Sequence, residues 1–175
     1  MPSIFFLVIF INFQVTSVYA SSANPIDQAI TNTLAWDNPK TAAKISDYTL
    51  NTLIIAPYGY ALAQKEHRWE KVGTIAVMQL MNKALYGYAK TKIGRTRPNG
   101  EDTLSFFSGH SSVSALGAAM ICGMHNDSCV PAVLLAGTTA YLRIAAKKHW
   151  FSDVVVGLGV GYLNGRYIPN IVVDF

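Results

Sequence analysis

From Ser46 onward the chain is built of five apolar segments, and none of them alternates with a period of two residues. Ser46 or Asp47 is placed to cap the first, which continues through Leu50, Leu53, Ile54 and Ile55 to about Gln64, with Pro57 as a kink point. A charged turn, Lys65 to Lys71, follows, and His67 reads as a solvated member of it. Val72 to Lys90 carries a helical pattern in Ile75, Met78, Gln79, Asn82 and Leu85. Ser111 to Met124 is rich in Ala and Gly; Val130 to Ala146 and Asp153 to about Arg166 complete the set. Segments of this length, without alternation and without a strand-and-turn rhythm, predict helices and no sheet. The expected fold is all-α, a compact bundle of about five to six helices. No internal repeat or low-complexity tract interrupts it.

At 175 residues this is one domain with room for a real core. Charged residues make up 14%, against roughly 25% in ordinary soluble chains, and 51% is hydrophobic, between a globular protein and a small membrane protein. The net charge of +4 says less than its placement. Five of the fourteen Lys and Arg lie between Lys83 and Arg97, and three more between Arg143 and Lys148. Such clustering beside histidines suits a small anionic substrate. Nucleic acid is not expected as a partner, because no long basic face with interleaved aromatics is present.

Met1 to Ala23 carries no charged side chain, and Ile4 to Ile11 is an apolar run of signal-peptide length followed by small residues at Val18-Tyr19-Ala20. The expected organisation is a signal peptide or uncleaved anchor over 1–20, a polar lead-in with one short helix over 21–44, and a helical domain over 45–175. The absence of Lys or Arg before the apolar run departs from the usual signal-peptide pattern. Export, to a periplasmic or extracellular location, is the expectation. In an exported protein Cys122 and Cys129, flanking the turn Gly123 to Ser128, read as a disulfide, with buried free thiols as the alternative. A metal site built from His125 and both sulfurs would lack a fourth ligand. In the last segment Gly157, Gly161 and Gly165 fall on one helix face, which allows a neighbouring backbone to approach closely.

The residues that carry chemistry come in three groups. Lys90 is followed after six residues by Arg97-Pro98; next comes Ser108-Gly109-His110; last, Arg143 is followed after five residues by His149 and after three more by Asp153. In order and internal spacing this resembles the three-part signature of the phosphatidic acid phosphatase type 2 superfamily, which includes bacterial acid phosphatases, lipid phosphatases and vanadium haloperoxidases. The resemblance covers Lys90 to Asp153 in detail, and it implies a helical bundle of the acid-phosphatase and haloperoxidase kind. Two positions depart from the usual pattern. Phe107 stands where a proline normally precedes the Ser-Gly-His, and Leu142 where a serine normally precedes the arginine. The latter removes one hydrogen bond expected near phosphate.

What the resemblance implies agrees with what these side chains can do. His149 and Asp153 are four apart and would share a face if the last helix began near His149; the resemblance makes Asp153 the partner of the imidazole's second nitrogen. Either way a carboxylate fixes the tautomer and leaves one nitrogen free to attack phosphorus. Ser108-Gly109-His110 stands at a helix start, where free amides and the helix dipole favour an anion. His110 would then be the general acid. Lys90, Arg97 and Arg143 would neutralise the oxygens that carry charge in phosphoryl transfer. Lys92, Arg95, Lys147 and Lys148 read as a solvated basic rim. No His, Asp or Glu spacing suggests a metal, so no cofactor is expected.

The resulting expectation is a metal-independent phosphomonoester hydrolase acting on lipid or small organic phosphates through a phosphohistidine. Counting the first, six apolar segments match the six transmembrane helices of the family's lipid phosphatases, with Lys65 to Lys71 inside and all three motifs outside. Against that stand the third segment, about fourteen residues long where a span wants about 20, and Asn82 and Lys83 in mid-segment. The paired cysteines would also face a reducing compartment. These features favour a soluble or peripherally attached exported enzyme, with an integral-membrane lipid phosphatase as the alternative. A non-catalytic anion-binding envelope protein and a vanadate-dependent haloperoxidase, a family of much larger chains, complete the readings. Oligomeric state is not encoded in any pattern of the chain.

Overall fold

Two Asn-Pro steps start the helical part of the chain. In the computed structural model, which describes residues 23–169, Asn24 accepts from the Asp27 amide at 2.8 Å and Asn38 from the Thr41 amide at 3.2 Å. Each is followed by a proline whose fixed φ suits the first helical position. Helices α1 (Pro25–Leu34) and α2 (Pro39–Ala63) result. The cap of α2 is thus Asn38, more than two turns before Ser46 and Asp47, and α2 continues through Pro57. Next come α3 (Arg68–Ile93), α4 (Gly109–Met124), a 3-10 turn (Asn126–Ser128), α5 (Cys129–Ala145) and α6 (Phe151–Tyr167). The six α-helices match the expected class, and no strand occurs among the described residues. The apolar run expected to be a signal peptide lies outside them.

Residue pairs between helices give their directions. Leu53 lies against Gly117, and Asp47 against His110, so α2 and α4 run parallel. Asn82 meets Ser112 and Tyr86 meets Gly109, so α3 runs against α4. Thr139 bonds Thr49, and Arg143 bonds Ser46, so α5 runs against α2. On α6, Gly157 faces the Ser108 carbonyl, Gly161 that of Ser112 and Gly165 that of Leu116. The sequence offset is the same each time, so α4 and α6 are parallel and in fixed register. The starts of α4 and α6 therefore share one end of the bundle with the last turns of α3 and α5. Helix N-termini there are electropositive, and Lys90 and Arg143 sit at C-termini where a cation is favoured.

α4 is the central rod. Its residues from Ser111 to Ile121 are buried with the single exception of Val113, and Leu116 and Met120 pack with Ala61, Ile75 and Met78. Small residues let the neighbours close in. A Cβ at Gly161 would stand 1.9 Å from the Ser112 oxygen, far inside any real contact, so only glycine fits the α4–α6 seam. The glycine face serves helix packing inside the bundle. Cys122 and Cys129 are joined in a disulfide across the α4–α5 turn, at the end away from Lys90 and Arg143.

The outward faces are unusual for a chain in water. Ile55 on α2, Leu80 on α3 and Val130 and Leu134 on α5 are each about two-thirds exposed, and Val155, Tyr162 and Leu163 are exposed on α6. One helical stretch among the described residues, Asn126–Ala145, is long and apolar enough to cross a membrane. The lead-in is part of the bundle: the Trp36 amide donates to the Ala145 carbonyl at 3.1 Å, its indole to Tyr141 at 2.8 Å, and Asp27 is fully buried.

Candidate active site

Three connecting elements meet at the shared helix ends: the loop 94–108, the start of α4, and the loop 146–150 between α5 and α6. α3 stops at Gly94, whose φ of +63° is a left-handed cap that a side chain would strain. The chain then turns back under the bundle. Lys90, on the last turn of α3, has no ion-pair partner among the described residues and lies over the Tyr86 ring at 5.6 Å. Arg97 is partly committed to the loop, donating from Nε to Asp102 at 2.6 Å and from Nη1 to the Lys148 carbonyl at 2.9 Å.

Ser108 caps α4: its hydroxyl accepts from the Ser111 amide at 3.3 Å and from the Ser111 hydroxyl at 2.9 Å, and its own amide donates to the Asp153 carbonyl at 3.0 Å. The Ser108 hydroxyl is thus chiefly a cap. The amides of Gly109 and His110, in the first turn, have no intrahelical acceptor to take them. A Cβ at Gly109 would press on the Tyr86 ring at 3.0 Å. His110 Nε2 faces Asp47 at 2.8 Å. Arg143 is buried, donates from Nη1 to Ser46 at 3.1 Å, stands 3.8 Å from Asp47, and keeps its Nε without a partner.

His149 is buried at 1% exposure. Its Nδ1 lies 2.7 Å from the Ser105 carbonyl, and Nε2 makes no hydrogen bond among the described residues. Burial first, then the charges of Arg143, Lys90 and Arg97, hold its pKa well below the ordinary value. The ring is therefore neutral, and because a carbonyl only accepts, the proton sits on Nδ1 and the lone pair on Nε2.

Asp153 differs from the expectation. α6 begins at Phe151, so His149 lies outside the helix and does not share a face with Asp153. The Asp153 carboxylate is occupied by Arg95 at 2.5 Å, the Ser105 hydroxyl at 2.5 Å and the Trp150 amide at 3.0 Å. It holds the peptide that holds the ring, instead of the ring itself. Arg95 is the second correction. It is 2% exposed, not on a solvated rim, and its Nη2 pairs with Asp27 at 2.6 Å. Lys148 does belong to a rim, pairing with Glu101 at 2.5 Å.

Sequence reasoning did not reach Asp27, Asp47 or Ser105. Asp47 carries no motif and reads from sequence only as a candidate helix cap, whereas it lies inside α2. Asp27 had one, the Asn-Pro cap that starts α1 and places the third helical residue inward.

A family model, described as the PAP2 superfamily, matches residues 71–175. The lipid A 1-phosphatase of Porphyromonas gingivalis is 31% identical over 117 residues, which covers 62% of this chain and 25% of that protein. The chain thus spans about a quarter of the length of that relative. In fold it is similar to the transmembrane PAP2 type phosphatidylglycerolphosphate phosphatase from Bacillus subtilis, with a TM-score of 0.68, 18% identity, and 91% of each chain covered.

Proposed function

The chain belongs to the PAP2 superfamily, and on that premise we propose that it is a membrane lipid phosphatase that hydrolyses a phosphomonoester through a phosphohistidine at His149. The observation that carries this reading is a neutral buried imidazole with Nε2 vacant, under three cations at the ends of four helices. In the first step Nε2 attacks phosphorus and the bond to the leaving lipid oxygen breaks, with His110 delivering the proton. The arriving dianion and Asp47 together supply the negative charge that favours an imidazolium at His110. Water then attacks the phosphohistidine and releases phosphate. Lys90, Arg143 Nε and the first amides of α4 take the equatorial oxygens. Neutralisation is assigned to these groups, so phosphate release persists in excess chelator.

The lipid substrate class rests on the outer surface and on the two relatives, both named as phosphatases of lipid phosphates. Apolar side chains cover the outside of α2, α3, α5 and α6, as lipid contact requires. Two of the features that favoured a soluble enzyme lose their force in the fold. Asn82 is buried and accepts from the Ser112 hydroxyl at 2.9 Å. The short third segment is the central α4, ringed by other helices, so its length need not match a bilayer.

The test is phosphate release by detergent-purified protein in excess chelator from phosphatidic acid and from a soluble aryl phosphate. Turnover of the lipid that is lost in His149→Ala, with phosphate trapped on wild-type enzyme after rapid quench, is the expected result. Undiminished turnover in His149→Ala would sink the mechanism, and turnover of the aryl phosphate alone would sink the lipid reading.

A further inference from the structure

We propose that Asp27 and Arg95 are positioning residues that fix the tautomer and orientation of His149, acting through Ser105. This rests on His149 being the nucleophile, but the geometry is independent of the substrate. Ser105 is held at two points so that its carbonyl faces Nδ1: its amide donates to the Arg95 carbonyl at 2.9 Å, and its hydroxyl to Asp153 at 2.5 Å. Both holds lead back to one residue, the first to its main chain and the second, through Asp153, to its side chain. Arg95 Nη1 donates to Asp153 at 2.5 Å and to the Ser152 hydroxyl at 2.8 Å, and Nη2 donates to Asp27 at 2.6 Å. Asp27 in turn accepts from the Ser152 amide at 2.8 Å and its hydroxyl at 2.7 Å. Arg95 also lies 5.8 Å from the Trp150 ring.

Asp27, Arg95 and Asp153 are all at most 2% exposed. A buried guanidinium between two carboxylates has little freedom, because each ion needs its partners to offset lost hydration. α1 therefore reaches the site through a single side chain. It clamps the first turn of α6 to the loop 94–108, and Ser105 passes that constraint to the imidazole. Removing the Asp27 charge weakens one of the two carboxylate holds on Arg95 and loosens Ser152, which keeps its bond to Nη1. The Ser105 carbonyl then drifts from Nδ1, and the ring loses its preference for a lone pair on Nε2.

The experiment uses the full chain in detergent, with Asp27→Asn and Arg95→Lys measured beside wild type. Kinetics are read on phosphatidic acid, and the His149 tautomer by 15N NMR of histidine-labelled protein, assigned from His149→Gln. The expected result is kcat lower by about 10- to 100-fold, as for displaced catalytic geometry, with KM within about twofold. The same variants should shift the ring signals from a pure Nδ1–H form towards a tautomer mixture. Ser152→Ala, a gentler change, should give a smaller shift in the same direction. Wild-type tautomer populations in both charged variants would overturn the proposal, whether or not kcat falls, since a merely structural role leaves them untouched. If His149→Gln hydrolyses normally, the phosphatase mechanism fails, yet the tautomer readout still decides the role of Asp27 and Arg95.

Discussion

Two buried arginines stand at the same end of the bundle and are treated differently. Arg95 is held between Asp27 and Asp153, both closer than 2.7 Å, and reaches Ser152 as well. Arg143 has one hydroxyl at 3.1 Å and a carboxylate only at 3.8 Å; a buried Nε without a hydrogen bond among the described residues is common to the two side chains. A buried guanidinium needs partners to offset its lost hydration, and Arg143 has fewer of them than Arg95. On the proposed mechanism, the cation clasped by two carboxylates organises the protein, and the sparsely partnered one receives substrate.

That contrast is broken most severely at the ring both arginines serve. His149→Ala should lower kcat by more than about 1,000-fold, as for loss of a nucleophile, measured by phosphate release. Arg143→Ala should cost about 100- to 1,000-fold in kcat/KM, the range for one transition-state donor, while thermal stability changes little because its partners are few. A loss of stability larger than the loss of rate would show that Arg143 is scaffold after all. Gly161→Ala tests the opposite pole: overpacking against the Ser112 carbonyl should destabilise by about 1–3 kcal/mol, read as a lower unfolding midpoint.

Acid sharpens the contrast further. The folded pKa of His149 is depressed, so below about pH 6.5 the unfolded chain takes a proton there that the folded chain refuses. The unfolded state binds more protons, and stability rises with pH across that window. Thermal unfolding between pH 7.5 and 5 should therefore show a steeper fall in wild type than in His149→Gln, by up to about 1.4 kcal/mol per pH unit. The smallest effect belongs to the rim. Lys148→Ala, which removes a solvent-screened pair with Glu101, should change kcat/KM less than about threefold at physiological salt.

The helical class and the three motif groups were legible because their signals are local: periodicity, cap chemistry and fixed spacing. His110, His149, Lys90, Arg97 and Arg143 all come to one end of the bundle, since helix starts and stops set where they fall. What sequence could not supply lies across long separations. Asp47 meets His110, and Asp27 meets Arg95, through packing of helices whose phase no motif records. Arg95 was misread because it stands two residues from Arg97 in a loop, where no periodicity tells an inward side chain from an outward one. The resemblance makes Asp153 the partner of the imidazole, whereas its carboxylate takes Arg95, the Ser105 hydroxyl and the Trp150 amide. The helix begins at Phe151, so the spacing of four between His149 and Asp153 does not put them on one helix face.

Gly157, Gly161 and Gly165, three of the four glycines of α6, have a kinetic meaning. Each is a notch that receives one carbonyl of α4, so the two rods mate in a single register, like a key in its slot. That register sets the span between the first amides of α4 and the loop that carries His149. Gly165 lies about 21 Å along the rod from the start of α6, yet a side chain there would pry the slot open and misalign both. Variants that touch no phosphate could then turn up in a screen as slow enzymes with unimpaired binding.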